Sequence, residues 1–323
     1  MKKLLFLMVL ITVLSVSSMA LTVYTYESMA WIEEEAIGIF EDKYGIDVNV
    51  IKLGDGGNVL SRLLLEKRNP RADVVIGLDQ SLAVKAIEED VLEAYTPSNV
   101  SNISKSEYIF DSTGNVYPYD YGAIAIIYDP MRLDNVPVSF EDLKNYKNSL
   151  VIQDPRSSST GQAFLLWTIA VYGENWKDFW KGLKPAILTV TSGWSEAFSK
   201  FEAGEAPMMV SYATDGAYSY HYYESTQYKA FIPEDGAYIQ IEGAGIVKNT
   251  KNREDAEKFM DFLLTEDFQD KIALNQWMFP VVDVTLPEAF KYAVVPEKLV
   301  TLDAKTIGEN METWLSEWEE IMY

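Results

Sequence analysis

LTVYTYESMAWIEEEAIGIFEDKYGIDVNVIKLGDGGNVLSRLLLEKRNPRADVVIGLDQSLAVKAIEE, residues 21–89, is the stretch that decides the fold. Residues 21–26 alternate like a strand. Over 31–44, Ile32, Ala36, Ile39 and Phe40 share one helical face with Gly45 as terminator, and 47–53 reads as a strand again. The order then repeats, with a helix over 58–68 carrying Leu60, Leu63 and Leu64, an apolar strand over 72–78 and a helix over 81–89. This alternation predicts an α/β fold built on a mostly parallel sheet. Ligands of such sheets sit beyond the carboxyl ends of the strands, which points to Tyr26, Asp55-Gly56 and Asp79, each placed where a strand gives way to a helix.

Further along, YPYDYGAIAIIYDP (117–130) is an apolar strand entered through a Tyr/Asp cluster, and it reads as a crossing between two lobes. A second α/β set follows: a strand over 150–153, the hydroxyl-rich loop DPRSSSTG, and a helix over 162–172. YIQIEGAGIVK (238–248) is the return strand, followed by a helix over 253–264. A third passage at NQWMFP (275–280) leads to a last helix with the stripe Ile307, Met311, Trp314, Trp318, Ile321. Two crossings imply two hinge strands. The expected division is an export signal at 1–20, lobe 1 over 21–120 with 245–275, and lobe 2 over 121–244 with 276–323; 303 residues exceed one comfortable core.

Aromatic residues concentrate over 189–223, where a strand, a helix starting after Ser192 and a second strand over 207–212 are expected. Trp194, Ala197, Phe198 and Phe201 form the helical stripe, and Glu196 stands near the positive end. Asp215-Gly216 gives a turn signal, and the rings after it alternate with small residues, as a wall for a flat or cationic molecule would. Plain core packing explains Trp194 equally well, since it shares a stripe with Phe198.

Residues 1–20 carry two lysines, an apolar run over 4–14 and small residues at the Ser18-Met19-Ala20 cleavage site, the pattern of an export signal. The run is too short for a finished membrane helix and no later segment approaches one. No cysteine follows to take a lipid anchor, so a free periplasmic protein is expected. The absence of Cys also removes disulfides, thiolate nucleophiles and Cys-ligated metals. Of 27 basic residues Lys2 and Lys3 leave with the signal, so 25 face 49 acids, a formal charge of −24. Nucleic acid and anionic lipid are poor partners for that field, which favours cations.

With a single histidine, His221, and no Cys, a transition-metal site or a Ser/His catalytic set is close to excluded, a packed or surface imidazole is the expected role, and no carboxylate pair stands out to anchor a hydrolase. Ser157–Gly161 suits either an anion cradle at a helix start or an ordinary N-cap loop. Asp55-Gly56-Gly57 lacks dinucleotide spacing; its glycines would let backbone approach a ligand while Asp55 offers charge, or the turn simply caps a helix.

The segments LTVYTYES, DGGNVLSRL, ADVVIGLD, PYDYGAIAIIYD, QDPRSSSTG, VTSGWSEAF, VSYATDGAY and NQWMFPV resemble, in order, those of the thiamine-binding periplasmic proteins of bacterial ABC transporters. The resemblance implies a two-lobed type II periplasmic binding protein fold that closes on its ligand by hinge motion. By motif position it implies ligand contacts from Asp55, Gly56, Ser158, Ser159, Trp194 and the run Tyr212, Ala213, Thr214, Asp215, with Tyr26, Trp31, Tyr218 and Trp277 as ring walls. Asp215 departs from the small hydroxyl residue of the family pattern, and the segment before Trp31 is shorter than the family's. The implied activity is capture of thiamine and delivery to a membrane permease, by a monomer with no cofactor, no metal and no catalysis. Thiamine joins a permanently charged thiazolium to a flat aminopyrimidine, so π faces and a carboxylate suit it. Three other readings use the same residues: a receptor for another organic cation such as a polyamine, a ferric-ion receptor using Tyr220, Tyr222 and Tyr223, and a thiamine-degrading enzyme of similar fold, whose cysteine nucleophile this chain lacks.

Overall fold

A computed structural model describes residues 20–323. The expected export signal therefore falls, but for its last residue, outside the described residues. The chain opens with β1 (Leu21–Thr25), α1 (Ile32–Glu35), α2 (Ile37–Tyr44), β2 (Val48–Lys52), α3 (Gly56–Glu66), β3 (Val74–Asp79) and α4 (Gln80–Glu88). β1 lies between β2 and β3 and runs parallel to both. The helix expected over 31–44 is two pieces because Ala36, at φ −128°, steps out of helical geometry; Gly45, at φ 67°, ends the second piece.

After β4 (Leu92–Glu93) comes the long strand β5 (Tyr117–Tyr128). Next are α5 (Phe140–Leu143), β6 (Leu150–Gln153), α6 (Ser159–Tyr172), α7 (Trp176–Leu183), β7 (Ile187–Thr191), α8 (Trp194–Glu202), β8 (Met208–Tyr212), α9 (Asp215–Tyr223) and β9 (Lys229–Phe231). A second long strand, β10 (Ala237–Val247), precedes α10 (Arg253–Leu263), α11 (Glu266–Asn275), β11 (Phe279–Pro280), β12 (Leu299–Val300) and α12 (Ala304–Met322). None of the described helices is long and apolar enough to cross a membrane.

The sheet order is β2-β1-β3-β10-β5-β8-β6-β7. β5 and β10 pair antiparallel in its middle. One end of β10 continues onto β3, and the far end of β5 continues onto β8. Each long strand thus feeds two cores, as crossing strands of a two-lobed fold should. Val23, Phe40, Ile76, Ala244 and Phe259 belong to one core. Ile126, Phe164, Trp167, Trp180 and Trp318 belong to the other, where Trp180 and Trp318 meet edge to face at 5.7 Å.

One segment differs from its sequence reading. Asp215-Gly216, read as a turn signal, is the first turn of helix α9, where an acidic residue is favoured by the helix N-terminus. The rings therefore emerge at helical spacing: Tyr218 and Tyr222, one turn apart, both approach Trp277, at 5.2 and 5.7 Å, while Tyr220 turns away to Tyr292 at 4.2 Å.

Candidate functional site

A cavity of about 310 Å³ lies between the lobes, lined by groups from β1, α3, α6, α8, β8, α9, β10 and the 275–278 passage. Eight expected residues meet there: Tyr26, Asp55, Ser159, Trp194, Tyr212, Asp215, Tyr218 and Trp277. A larger, mostly apolar cavity of about 570 Å³ opens between α4, β10 and the start of α12 and holds none of them. Rings and convergent polar groups mark the smaller one as the candidate site.

Asp55 ends the loop after β2 and caps α3 with Gly56 N–H at 2.6 Å, while Asn58 returns the bond to Asp55 N–H. The rest of its carboxylate is held by the other lobe. Ser158 Oγ donates at 3.0 Å, Trp194 N–H at 2.8 Å, and Ser159 N–H and Oγ at 3.3 and 3.4 Å. Three helices, α3, α6 and α8, point their N-termini at one carboxylate, and their dipoles all favour a negative charge there. Both readings of 157–161 meet here: Ser158 is the ordinary N-cap of α6, accepting from Gly161 N–H at 3.3 Å, and the carboxylate beside that helix start is the protein's own Asp55. Asp55 plays the capping role, extended across the lobes, and at the same time borders the cavity. The neighbouring glycine serves the same closure: a Cβ on Gly57 would lie 2.6 Å from the Ser157 carbonyl oxygen. What approaches Gly57 is the backbone of the second lobe. Gly56 and Ser158 stand behind this contact rather than in the cavity wall.

The rings form a connected wall. Trp194, the first residue of α8, stacks on Phe198 at 4.7 Å and 17° and anchors its indole N–H on Ser211 Oγ at 2.9 Å. Phe198 meets Tyr218 edge to face at 5.0 Å, and Tyr218 meets Trp277 likewise. Trp277 sits at φ 58°, a left-handed conformation that costs a bulky residue free energy and is retained where packing fixes the side chain, here against Tyr218, His221 and Phe290. Trp31 is not in the wall. It packs on Phe268 and donates to Gln276 Oε1 at 2.8 Å, and Gln276 in turn donates to the Tyr26 hydroxyl at 2.7 Å, so Trp31 supports the wall from behind.

Four acids line the cavity, Asp55, Glu202, Asp215 and Glu242, and no lysine or arginine does. Glu202 accepts from the Tyr218 and Tyr223 hydroxyls at 3.1 and 2.6 Å. Asp215 is buried with Oδ2 unpartnered; burial pushes it up to about 7, partly offset by the Ser211 hydroxyl. Glu242, on the crossing strand β10, accepts from the Tyr26 hydroxyl, from Tyr119 at 2.9 Å and from Gln240 at 2.9 Å, and burial still pushes it up to about 7. Tyr212 pairs its hydroxyl with Thr160 at 3.0 Å. Ala213 and Thr214 are buried behind it and do not line the cavity.

Glu242, Glu202, Thr160, Gln276 and Phe198 are wall residues that the sequence reading did not single out as ligand contacts. Glu242 left a signal, an isolated acid inside the otherwise apolar hinge strand YIQIEGAGIVK. Among the described residues no group of three or more His, Cys, Asp or Glu side chains could hold a metal ion.

Residues 69–305 match the family model described as bacterial extracellular solute-binding protein. The chain is 35% identical over 323 residues to the thiamine-binding periplasmic protein of Salmonella typhimurium and 34% identical over 325 residues to that of Escherichia coli, covering 98% of each chain in both comparisons. A solved periplasmic thiamin binding protein superposes with a TM-score of 0.88 at 32% identity, over 94% of this chain and 96% of that one. A ferric ion-binding protein of Pasteurella haemolytica shares the fold alone, with a TM-score of 0.78 at 22% identity. The two crossing strands, the interlobe cavity and these likenesses together make this chain a member of the bacterial extracellular solute-binding proteins, alongside the thiamine-binding periplasmic proteins.

Proposed function

We propose that this protein captures thiamine in the interlobe cavity outside the cytoplasm and delivers it, chemically unchanged, to the membrane permease of an ABC importer. The observation that carries the reading is the composition of the wall: stacked rings and four acids, with no basic side chain. Such a wall suits a flat organic cation and offers an anion no partner. The names of the relatives narrow the cation to thiamine. Closure would bury the ligand between Trp194, Tyr218, Trp277 and Tyr26, and a ligand touching both lobes favours the closed population. We further propose that the chain acts as a free monomer after removal of the export signal.

Calorimetric titration with thiamine tests this, with one site per chain expected. Putrescine and spermidine should bind far more weakly, because a chain of methylenes cannot use the rings; tighter polyamine binding overturns the assignment. Incubation with thiamine and a nucleophilic base should leave the vitamin intact, and measurable cleavage would restore the enzyme reading.

A further inference from the structure

Beside Glu242 lies a second buried acid, Asp120, outside the cavity wall. Asp120 and Glu242 stand directly opposite each other on the antiparallel pair β5/β10, so their side chains leave the same face of the sheet as immediate neighbours. Asp120 is 0% exposed and neither carboxyl oxygen has a hydrogen-bond partner. Glu242 reaches the cavity wall, and its partners are hydroxyl and amide donors only, from Tyr26, Tyr119 and Gln240. The charged or titratable groups bearing on the pair from neighbouring elements are Tyr26 at the end of β1, Tyr119 on β5, Tyr212 on β8, Asp55 at the start of α3 and Asp79 at the end of β3. No lysine or arginine is among them. Two adjacent, buried, uncompensated carboxylates are too costly to coexist ionised, so the pair retains a proton while no cation faces it. In keeping with that, burial and then the charge of Glu242 hold Asp120 well above the usual carboxylate range.

We propose that Asp120 and Glu242 act as one proton-sharing counter-ion for the ligand's cation: the pair holds a proton without the cation, and arrival of the cation expels that proton to solvent. Only an O–H bond breaks, and the total charge of the pocket is conserved as the cation replaces the proton. Glu242 is the contact residue, while Asp120 acts through it as a positioning residue. This rests on the cation reading of the same cavity and adds a residue pair and a linkage to it. Binding should tighten as pH rises, about tenfold between pH 6 and 7.5, and flatten above that.

The test is calorimetry with thiamine at pH 6.5 in two buffers of different ionisation enthalpy, on the wild type, Asp120→Asn and Glu242→Gln. Between half a proton and one proton should leave per thiamine bound to the wild type. Asp120→Asn is nearly isosteric and should still bind, with the release cut to near zero. Glu242→Gln should lose at least tenfold in affinity. Thiamine binding with no release and a flat pH profile overturns the proposal and leaves the thiamine assignment standing. A release undiminished in Asp120→Asn places the proton on Glu242 alone or on Asp215, not on a shared pair, and also overturns it. If putrescine or spermidine binds with proton release while thiamine does not, the counter-ion stands and the thiamine assignment falls. If none of these cations binds, both fall.

Discussion

Replacing Asp55 by Asn removes one charge and little volume from the point where three helix N-termini meet. The amide keeps one acceptor oxygen and turns an NH2 toward groups that are themselves donors, Trp194 N–H and Ser158 Oγ on one side or Gly56 and Ser159 N–H on the other. Losing about one charge-assisted bond across the lobes costs roughly 1.5 to 3 kcal/mol. The dipoles of α6 and α8 lose their counter-charge, each worth about 0.3 to 1 kcal/mol. The sum, roughly 2 to 5 kcal/mol, is a penalty on the closed arrangement and so on any ligand that needs it, about 30- to 4,000-fold in Kd. Titration with thiamine reads the affinity, and small-angle scattering of the thiamine-saturated protein reads the lobes. The variant should bind weakly and show a larger radius of gyration than the wild type. A Kd within about twofold of wild type and an unchanged radius would refute the bridge. A large loss of affinity with unchanged lobe closure would instead return Asp55 to direct contact with the ligand.

Trp194→Ala should weaken thiamine at least tenfold, about 1.4 kcal/mol, with the fold retained, since the indole is only half-buried and Phe198 keeps Tyr218 as a neighbour; lost stability with intact affinity would make Trp194 plain core. Asp215 should disfavour phosphorylated thiamine, a like-charge cost of about 4 kcal/mol at 4 Å in an effective dielectric of ~20, reduced in proportion to its protonation near neutral pH. Competition titrations should show the mono- and diphosphate binding more weakly than thiamine, with the gap narrowing in Asp215→Ser; equal ranking in both proteins sinks the idea. Because Asp215 and Glu242 titrate near 7 when folded and lower when unfolded, the folded state binds more protons between about pH 4 and 7. Stability without ligand is thus greatest below that window and falls as pH rises through it, so thermal scans should show the melting temperature dropping by about 5 °C or more from pH 5 to 8. A constant or rising melting temperature would contradict the burial of these acids.

The β-α-β frame was legible because Ile32, Phe40, Leu60 and Leu63 repeat at helical spacing between runs such as VVIGLD, and local periodicity survives whatever the chain later packs against. DGAYSYHYY was not legible in the same way. Its rings recur every second residue, which satisfies a strand, yet they also place Tyr218 over Tyr222 on a helix. Contacts with Trp277 and Tyr292, more than 50 residues away, go with the helical choice. Register was harder still. That Asp120 faces Glu242 depends on how two strands 122 residues apart align, and nothing local to either encodes it. Asp55 was legible as a cap of α3, but its bonds to the other two helices were not, because nothing in its sequence neighbourhood reveals them.

The site separates two tasks. The contacts among Asp55, Gly57 and the first turns of α6 and α8 bring the lobes together using backbone and hydroxyl groups, while the side-chain rings and the acids Glu202, Asp215 and Glu242 face the cavity. Cargo can therefore be exchanged by substitutions at Trp194, Asp215, Tyr218 or Glu242 without rebuilding the machinery of closure. A scaffold divided in this way is free to diversify in what it carries while remaining constant in how it shuts, which is the property an engineer would want in a receptor retuned as a sensor for a different flat cation.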